Sequence, residues 1–465
     1  MKRKEKLFPL KPATGWTVIA LFIVINSLTL IGAPSLLNLS FLATAAIVGA
    51  FLYFKHPLLY IGFSWWLWFL SPFVRRLTDY YSGYTNPSPI ILTPYVVSLI
   101  SGLELRKMKA SKNSIEICFF MSIAGTVYAL LIGLIKASYI SAMTTSLEWI
   151  CPVLFGFFLY SRWQNYPKLE RLTKQIFLWC VLITGAYGVI QYLVLPEWDQ
   201  VWLQKTIEIS ENARAFGAPE PLKVRVWSTM NSPGVFAQVM MAGLLLLLSE
   251  AGFLGSLAAP FGYLTFLLSL VRSAWIGWIL GIAALFTSLK SSLQIRLILT
   301  IVVAAVFALP LVFLEPFSGF ITERVQSLAN PGEDGSAGAR LGTYTRLLGA
   351  GLTNFLGNGF GSNNGLLDSA ILDILLTLGW LGTIFYIGGA IPLLHSLFSD
   401  RAVRQDAFSS AVRAVCLGMI VQMLFGSVML GLPGTVLWGF LGTGLAGQQY
   451  RKSCKLLERL SIDSS

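Results

Sequence analysis

Charge is what this sequence has least of. Charged residues make up 12% of its 465 positions, about half of the ~25% usual in a soluble globular chain. So little polar surface cannot coat a water-soluble particle of this size, which excludes a soluble enzyme and a disordered chain alike. Cysteine is scarce too. Cys118, Cys151, Cys180 and Cys416 fall inside apolar runs and Cys454 lies in the basic C-terminal stretch, so no secreted disulfide framework is implied. The two histidines, His56 and His395, stand at segment ends far apart in sequence. No cluster of the three or four ligands that a zinc ion needs is visible, and no metal or cofactor is expected. Acidic residues number 22 against 34 lysines and arginines, a net charge of +12. No basic stretch sits in a soluble domain, which argues against a nucleic-acid partner.

What is present is apolar: 55% of the residues are hydrophobic. Runs of the ~20 mostly apolar residues that cross a bilayer recur about fourteen times between residues 16 and 447, or about twelve if the shortest (38–54, 147–161, 432–447) do not all cross. They lack the alternation of barrel strands. The expected fold class is therefore all-α, a polytopic membrane protein with about 12–14 transmembrane helices. Residues 1–174 would be N-terminal spans. Residues 175–394 would be a central core carrying two long loops, 196–232 and 315–368. Residues 395–465 would be the last spans and a basic tail. The start, MKRKEKLFPLK, leads into an apolar run too long for a signal peptide, so it reads as an uncleaved first span. With both termini in the cytoplasm, 22 lysines and arginines fall inside and 11 outside, Arg413 lying at the start of a span. This is the bias of the positive-inside rule. Both long loops then lie outside, and no internal repeat is visible.

Arginines that remain outside against this bias are the informative ones. Arg272, in LLSLVRSAWIGWILGI, sits at a tight outer hairpin. It is either a snorkelling arginine beside the belt residues Trp275 and Trp278, or a cation facing water or a ligand. Arg340 and Arg346 flank Tyr344 in the second loop. They either clamp a phosphate or pyrophosphate in bidentate fashion or pair with Glu323, Glu333 or Asp334. GNGFG, Gly357 to Gly361, resembles a phosphate cradle only weakly and reads better as a flexible turn returning the chain to the membrane. Asp368 and Asp373 open the next span, as first-turn aspartates often do. Five apart on a helix, they point about 140° away from each other. The first loop carries Arg214 and Arg225 with Trp198, Trp202 and Trp227. Such tryptophans stack on sugar rings, although rim aromatics more often anchor helices.

Four stretches in order, RVWSTMNSPGVFAQ, SLVRSAWIGWILG, GARLGTYTRLLGAGLTNFLGNGFG and DSAILDILLTLGWLG, resemble the O-antigen ligase and polymerase family of bacterial inner-membrane proteins. The resemblance covers roughly residues 225–390. It implies a GT-C-like fold with short helices in the large periplasmic loop, both termini cytoplasmic. The implied activity is metal-independent, inverting transfer of a glycan from polyprenyl pyrophosphate to a glycan or lipid acceptor at the periplasmic face. Arg272 matches the family's arginine after a serine, with Val271 in the serine's place. Arg340 matches the arginine at the start of the loop helix. Arg225 and Asn231 match an Arg…Asn-Pro stretch in which Ser232 intervenes here. Asp368 and Ser369 stand where the family often has His-Asn, eleven residues before Gly379. The resemblance thus implies Arg272 and Asp368 as catalytic residues and Arg340, Arg346, Arg225 and Arg214 as substrate-binding ones. The alternative is a flippase or transporter of lipid-linked oligosaccharide, which would more often place ionisable groups near mid-membrane.

Overall fold

The computed structural model describes residues 12–107, 114–249, 252–288, 351–362, 369–400 and 406–462, with a few single positions between 294 and 349. The expected span at 297–314 and most of the loop at 315–368, with Arg340, Arg346 and Asp368, lie outside the described residues.

The described chain is helical and contains no strand, apart from one antiparallel bridge between Gly217 and Val224. Its helices are α1 (Pro12–Gly32), α2 (Pro34–Lys55), α3 (Pro57–Ser82), α4 (Pro89–Ile100), α5 (Ser114–Lys136), α6 (Tyr139–Ser161), α7 (Tyr166–Val194), α8 (Glu197–Ile209), α9 (Pro233–Leu247), α10 (Phe253–Leu268), α11 (Arg272–Ser288), α12 (Ala370–Ser399), α13 (Ala407–Gln422) and α14 (Gly431–Ile462). Many begin on proline, whose fixed φ suits the first helical position and whose missing N–H costs nothing there. Ser138, Ser232, Ser369 and Asp406 cap α6, α9, α12 and α13 by accepting from backbone amides of the first turn.

Among the described residues, eight helical stretches are long and apolar enough to cross a membrane: α1 to α7, with α4 taken together with its short 3₁₀ continuation, and α12. The apolar α9, α10, α11 and α13 are shorter. At 1.5 Å per residue they span roughly 23–26 Å, less than a ~30 Å hydrocarbon core. Two of the shortest apolar runs in the sequence belong to longer helices, Pro34–Lys55 and Tyr139–Ser161. Hydropathy undercounts them because the Ser and Thr residues near their starts are polar yet helical. α8 is an amphipathic outlier whose buried face is Asp199, Trp202 and Leu203.

Packing is close where small residues meet. Gly442 of α14 lies against the Gly156 backbone of α6, and Gly277 of α11 against that of Gly418 in α13. Such contacts let helices associate without a hydrophobic driving force. The middle of the bundle is aromatic, with Trp65 of α3 meeting Phe155 at 5.4 Å and Phe177 at 5.1 Å, edge to face.

Side-chain contacts define two ends. At one, Tyr53 and Arg162 bond Glu104, Tyr166 meets Ser409, and Arg451 pairs with Asp400. At the other, hereafter the loop-bearing end, lie residues 83–88, 195–232, 269–271, 354–362 and 423–430. Here Ala370 N–H donates to the Met423 carbonyl at 3.0 Å and Ser427 to Asp373 at 3.1 Å.

GNGFG is not the flexible turn expected from its glycines. α12 breaks at Gly379, whose φ of 64° lies outside the helical region. The Leu376 and Thr377 carbonyls there accept the amides of Asn358 at 2.8 Å and Gly359 at 2.9 Å, while Phe360 N–H reaches Ala129 O of α5 at 3.1 Å. Gly357, Gly359 and Gly361 all have φ of 76–78°. A Cβ on Gly359 would stand 2.3 Å from the Gly133 nitrogen. The glycines are thus needed for conformation and close approach together, and the segment is a seam locking α5, α6 and α12. Irregular backbone beside spanning helices is tolerated where protein buries it and satisfies its polar groups, as here.

Candidate functional site

Arg272 is the first residue of α11, half-buried, at the loop-bearing end. The turn before it is tight. Leu270 takes φ 54°, a left-handed value unusual for leucine, and Val271 O accepts the amides of Ala274 and Trp275. The two tryptophans that follow do not form a lipid belt. Trp275 is buried with its indole N–H on Phe266 O at 3.2 Å, and Trp278 packs edge-on against Tyr263. They hold the α10–α11 hairpin shut.

Arg225 meets that same hairpin. Its guanidinium donates to Ser269 O at 3.0 Å, Leu270 O at 3.2 Å and Ala215 O at 3.1 Å. Its own amide donates to Phe216 O at 2.8 Å, and Val226 N–H to Leu268 O at 3.1 Å. Of the arginines expected to touch substrate, Arg225 and Arg272 are therefore brought to one corner, but the Arg225 fork is turned onto backbone carbonyls. Arg214 is exposed, 3.9 Å from the exposed Glu211, a pairing of little energetic weight.

Behind this corner lies a residue that the sequence did not single out. Arg76 of α3 is wholly buried. It forms an ion pair at 2.7 Å with Asp199 of α8, which is buried as completely. It also donates to the carbonyls of Met230 at 2.6 Å and Ser228 at 2.5 Å. The other Asp199 oxygen accepts from Tyr187 at 2.8 Å and Gln191 at 2.7 Å, both of α7. Gln191 Oε1 in turn accepts the amides of Trp227 at 3.0 Å and Ser228 at 2.7 Å. A buried pair is tolerated when further hydrogen bonds satisfy both charges, and that condition is met here. The whole network grips residues 226–230 and ties α3, α7 and α8 to them. Trp202 and Trp227 are consumed by it. Both are buried, their rings 5.8 Å apart, and the Arg76 guanidinium lies over Trp202 at 5.6 Å, so neither indole face is open to a sugar.

Across the same end stand two carboxylates within spanning helices. Asp373 of α12 accepts from Thr377 and Ser427, both at 3.1 Å. Glu148 of α6 is nine residues in from Tyr139, a depth of about 13 Å along the helix. Its carboxylate is within electrostatic reach of Asp373, and no hydrogen bond or ion pair from another described residue satisfies it. One turn on, Cys151 and Pro152 pack against Tyr95 of α4 and Gly434 of α14. Sequence reasoning passed over Glu148 because it sits at the edge of the apolar run 147–161. An ionisable side chain inside a span is signal enough to find it. Lys136, at the end of α5, is spent on Gly357 O at 2.8 Å. Among the described residues no group of three or more histidines, cysteines and carboxylates is gathered as a metal site would need.

No family model, curated protein or solved structure matches the chain.

Proposed function

We propose that the protein is a glycosyltransferase working at a membrane boundary, a polysaccharide ligase or polymerase that draws its glycan from a polyprenyl pyrophosphate. The observation that carries this reading is the place of Arg272. A helix N-terminus already presents a positive pole, and a cation there costs the helix roughly 0.3–1 kcal/mol. Arg272 puts a guanidinium at that pole of α11, beside a tight turn. An anion bound at that place would be held by guanidinium and helix amides together. A departing polyprenyl pyrophosphate is such an anion.

In the reaction, the bond from the anomeric carbon to the pyrophosphate oxygen breaks and a bond to the acceptor oxygen forms with inversion. The acceptor proton passes to a carboxylate. The leaving group departs charged, so it needs electrostatic stabilisation, which in preorganised sites supplies several kcal/mol. Arg272 would supply it, with Arg340 and Arg346 of the second loop completing a bidentate clamp. Asp368, carried over from the family resemblance, would act as the general base, a role worth ~10²–10⁴-fold. The setting would be the inner membrane of a bacterium with the site on the periplasmic side and both termini in the cytoplasm, consistent with the excess of basic residues at the other end.

The test is incubation of the purified protein in lipid nanodiscs with a synthetic polyprenyl-pyrophosphate glycan and an acceptor, reading product mass. Arg272→Ala should lose transfer by at least ~10²-fold while retaining the wild-type unfolding temperature. Wild-type product from that variant overturns the role of Arg272. A second reading, movement of a lipid-linked glycan across the membrane without chemistry, is favoured by Glu148, a deep carboxylate of the kind that transporters use. The same incubation separates the two, because a transporter leaves the donor's mass unchanged.

A further inference from the structure

Arg225 was expected to hold substrate, yet all three guanidinium nitrogens donate to protein carbonyls. Two of those carbonyls, Ser269 and Leu270, lie immediately before Val271 and Arg272. Continuous hydrogen bonding runs on from there. Val226, next in sequence, donates to Leu268 O. Ser228 and Met230 are gripped by Arg76, and Arg76 is fixed by Asp199 of α8. Ser228 itself takes a left-handed φ of 52°, and its hydroxyl is tied to Thr184 O at 2.6 Å. The chain around Leu270 is equally constrained at φ 54°. A strained leucine persists only where its surroundings over-determine it, and Arg225 supplies two of the bonds that do so.

We infer that Arg225 is a positioning residue: its fork sets the 269–271 turn and through it the place of Arg272, and Arg76 holds the segment from which Arg225 reaches. This rests on the reading that Arg272 meets a pyrophosphate, and it assigns Arg225 a different part from direct donor binding. The fork is what matters. A guanidinium spans several carbonyls in fixed geometry, whereas a lysine ammonium carries the same charge as a single point.

The experiment uses the full-length protein in nanodiscs, with inorganic pyrophosphate as the probe and isothermal calorimetry as the readout. Hydrogen exchange of the segment 266–275 is followed in parallel. Arg225→Gln and Arg225→Lys should both weaken pyrophosphate binding about tenfold when Arg272 is present. Both should be without further effect on the Arg272→Ala background, since the loss is exerted through Arg272. Both should also speed exchange in 266–275 while the unfolding temperature stays near wild type. Substantial rescue by lysine, or an equal loss on the Arg272→Ala background, would make Arg225 a direct ligand and overturn the inference. Unchanged exchange in 266–275 overturns it as well. If the wild-type protein binds no pyrophosphate while exchange rises in both variants, the donor reading falls and the positioning of the turn by Arg225 stands.

Discussion

The loop-bearing end is held together twice, by opposite means. On the α3–α7–α8 side the clasp is made of side chains: Arg76 and Gln191 grip residues 227–230, and Asp199, itself bonded by Tyr187, holds both of them. On the α5–α6–α12 side the seam is made of backbone. Amides of residues 358–360 satisfy carbonyls that the break at Gly379 exposes and one on α5, and glycines let the strands of chain touch. The difference lies in what each tolerates. The clasp depends on the presence of both charges and the seam on the absence of side chains.

That contrast can be broken by substitution. The largest effect is expected for Arg76→Met, which leaves Asp199 charged and buried without its partner. Loss of one member of such a pair costs about 3–5 kcal/mol, read by denaturant unfolding in detergent, and Asp199→Leu added to it should restore much of the stability. A loss under 1 kcal/mol for the single change would mean that the clasp is not held by charge. Next is Gly359→Ala, which forces a Cβ onto the Gly133 backbone at a left-handed φ. Strain of this kind costs about 1–3 kcal/mol, and the change should open exchange at residues 355–361 while leaving 226–230 protected. Equal opening at both places would show that clasp and seam are one unit. The smallest effect is expected for Lys136→Met, which removes one bond to Gly357 O from a seam otherwise intact, about 1 kcal/mol. A loss as large as that from Gly359→Ala would show that the seam too relies on a side-chain charge.

The helical, membrane-type character of the chain was legible in its composition, and most helix positions in its apolar runs, because burial in lipid leaves a continuous signature. The clasp was not. FVRRLTD reads as a rim segment, and nothing local marks Arg76 as buried when its carbonyl partners lie 152 and 154 residues further along the chain. GNGFG was misjudged for a related reason. Glycine is the residue of loose turns and also of the tightest backbone contacts, and only the neighbours, here Gly133 and residues 377–379, decide which applies. Of the candidate site, the position of Arg272 at a short hairpin was readable. The engagement of Arg225 with that hairpin was not, since spacing says nothing about where a guanidinium turns.

α1 behaves differently from everything above. Only 17% of its apolar stretch is covered by protein, against 67% for α6, and its polar ties to its neighbours are bonds such as Asn26 to Thr44 and Thr14 to His56. Membranes vary in thickness by a few ångströms, and helices answer by tilting at a cost of fractions of a kcal/mol per ångström. A perimeter helix with so few attachments will adjust first, absorbing changes in lipid thickness like a fender before they reach the pinned interior.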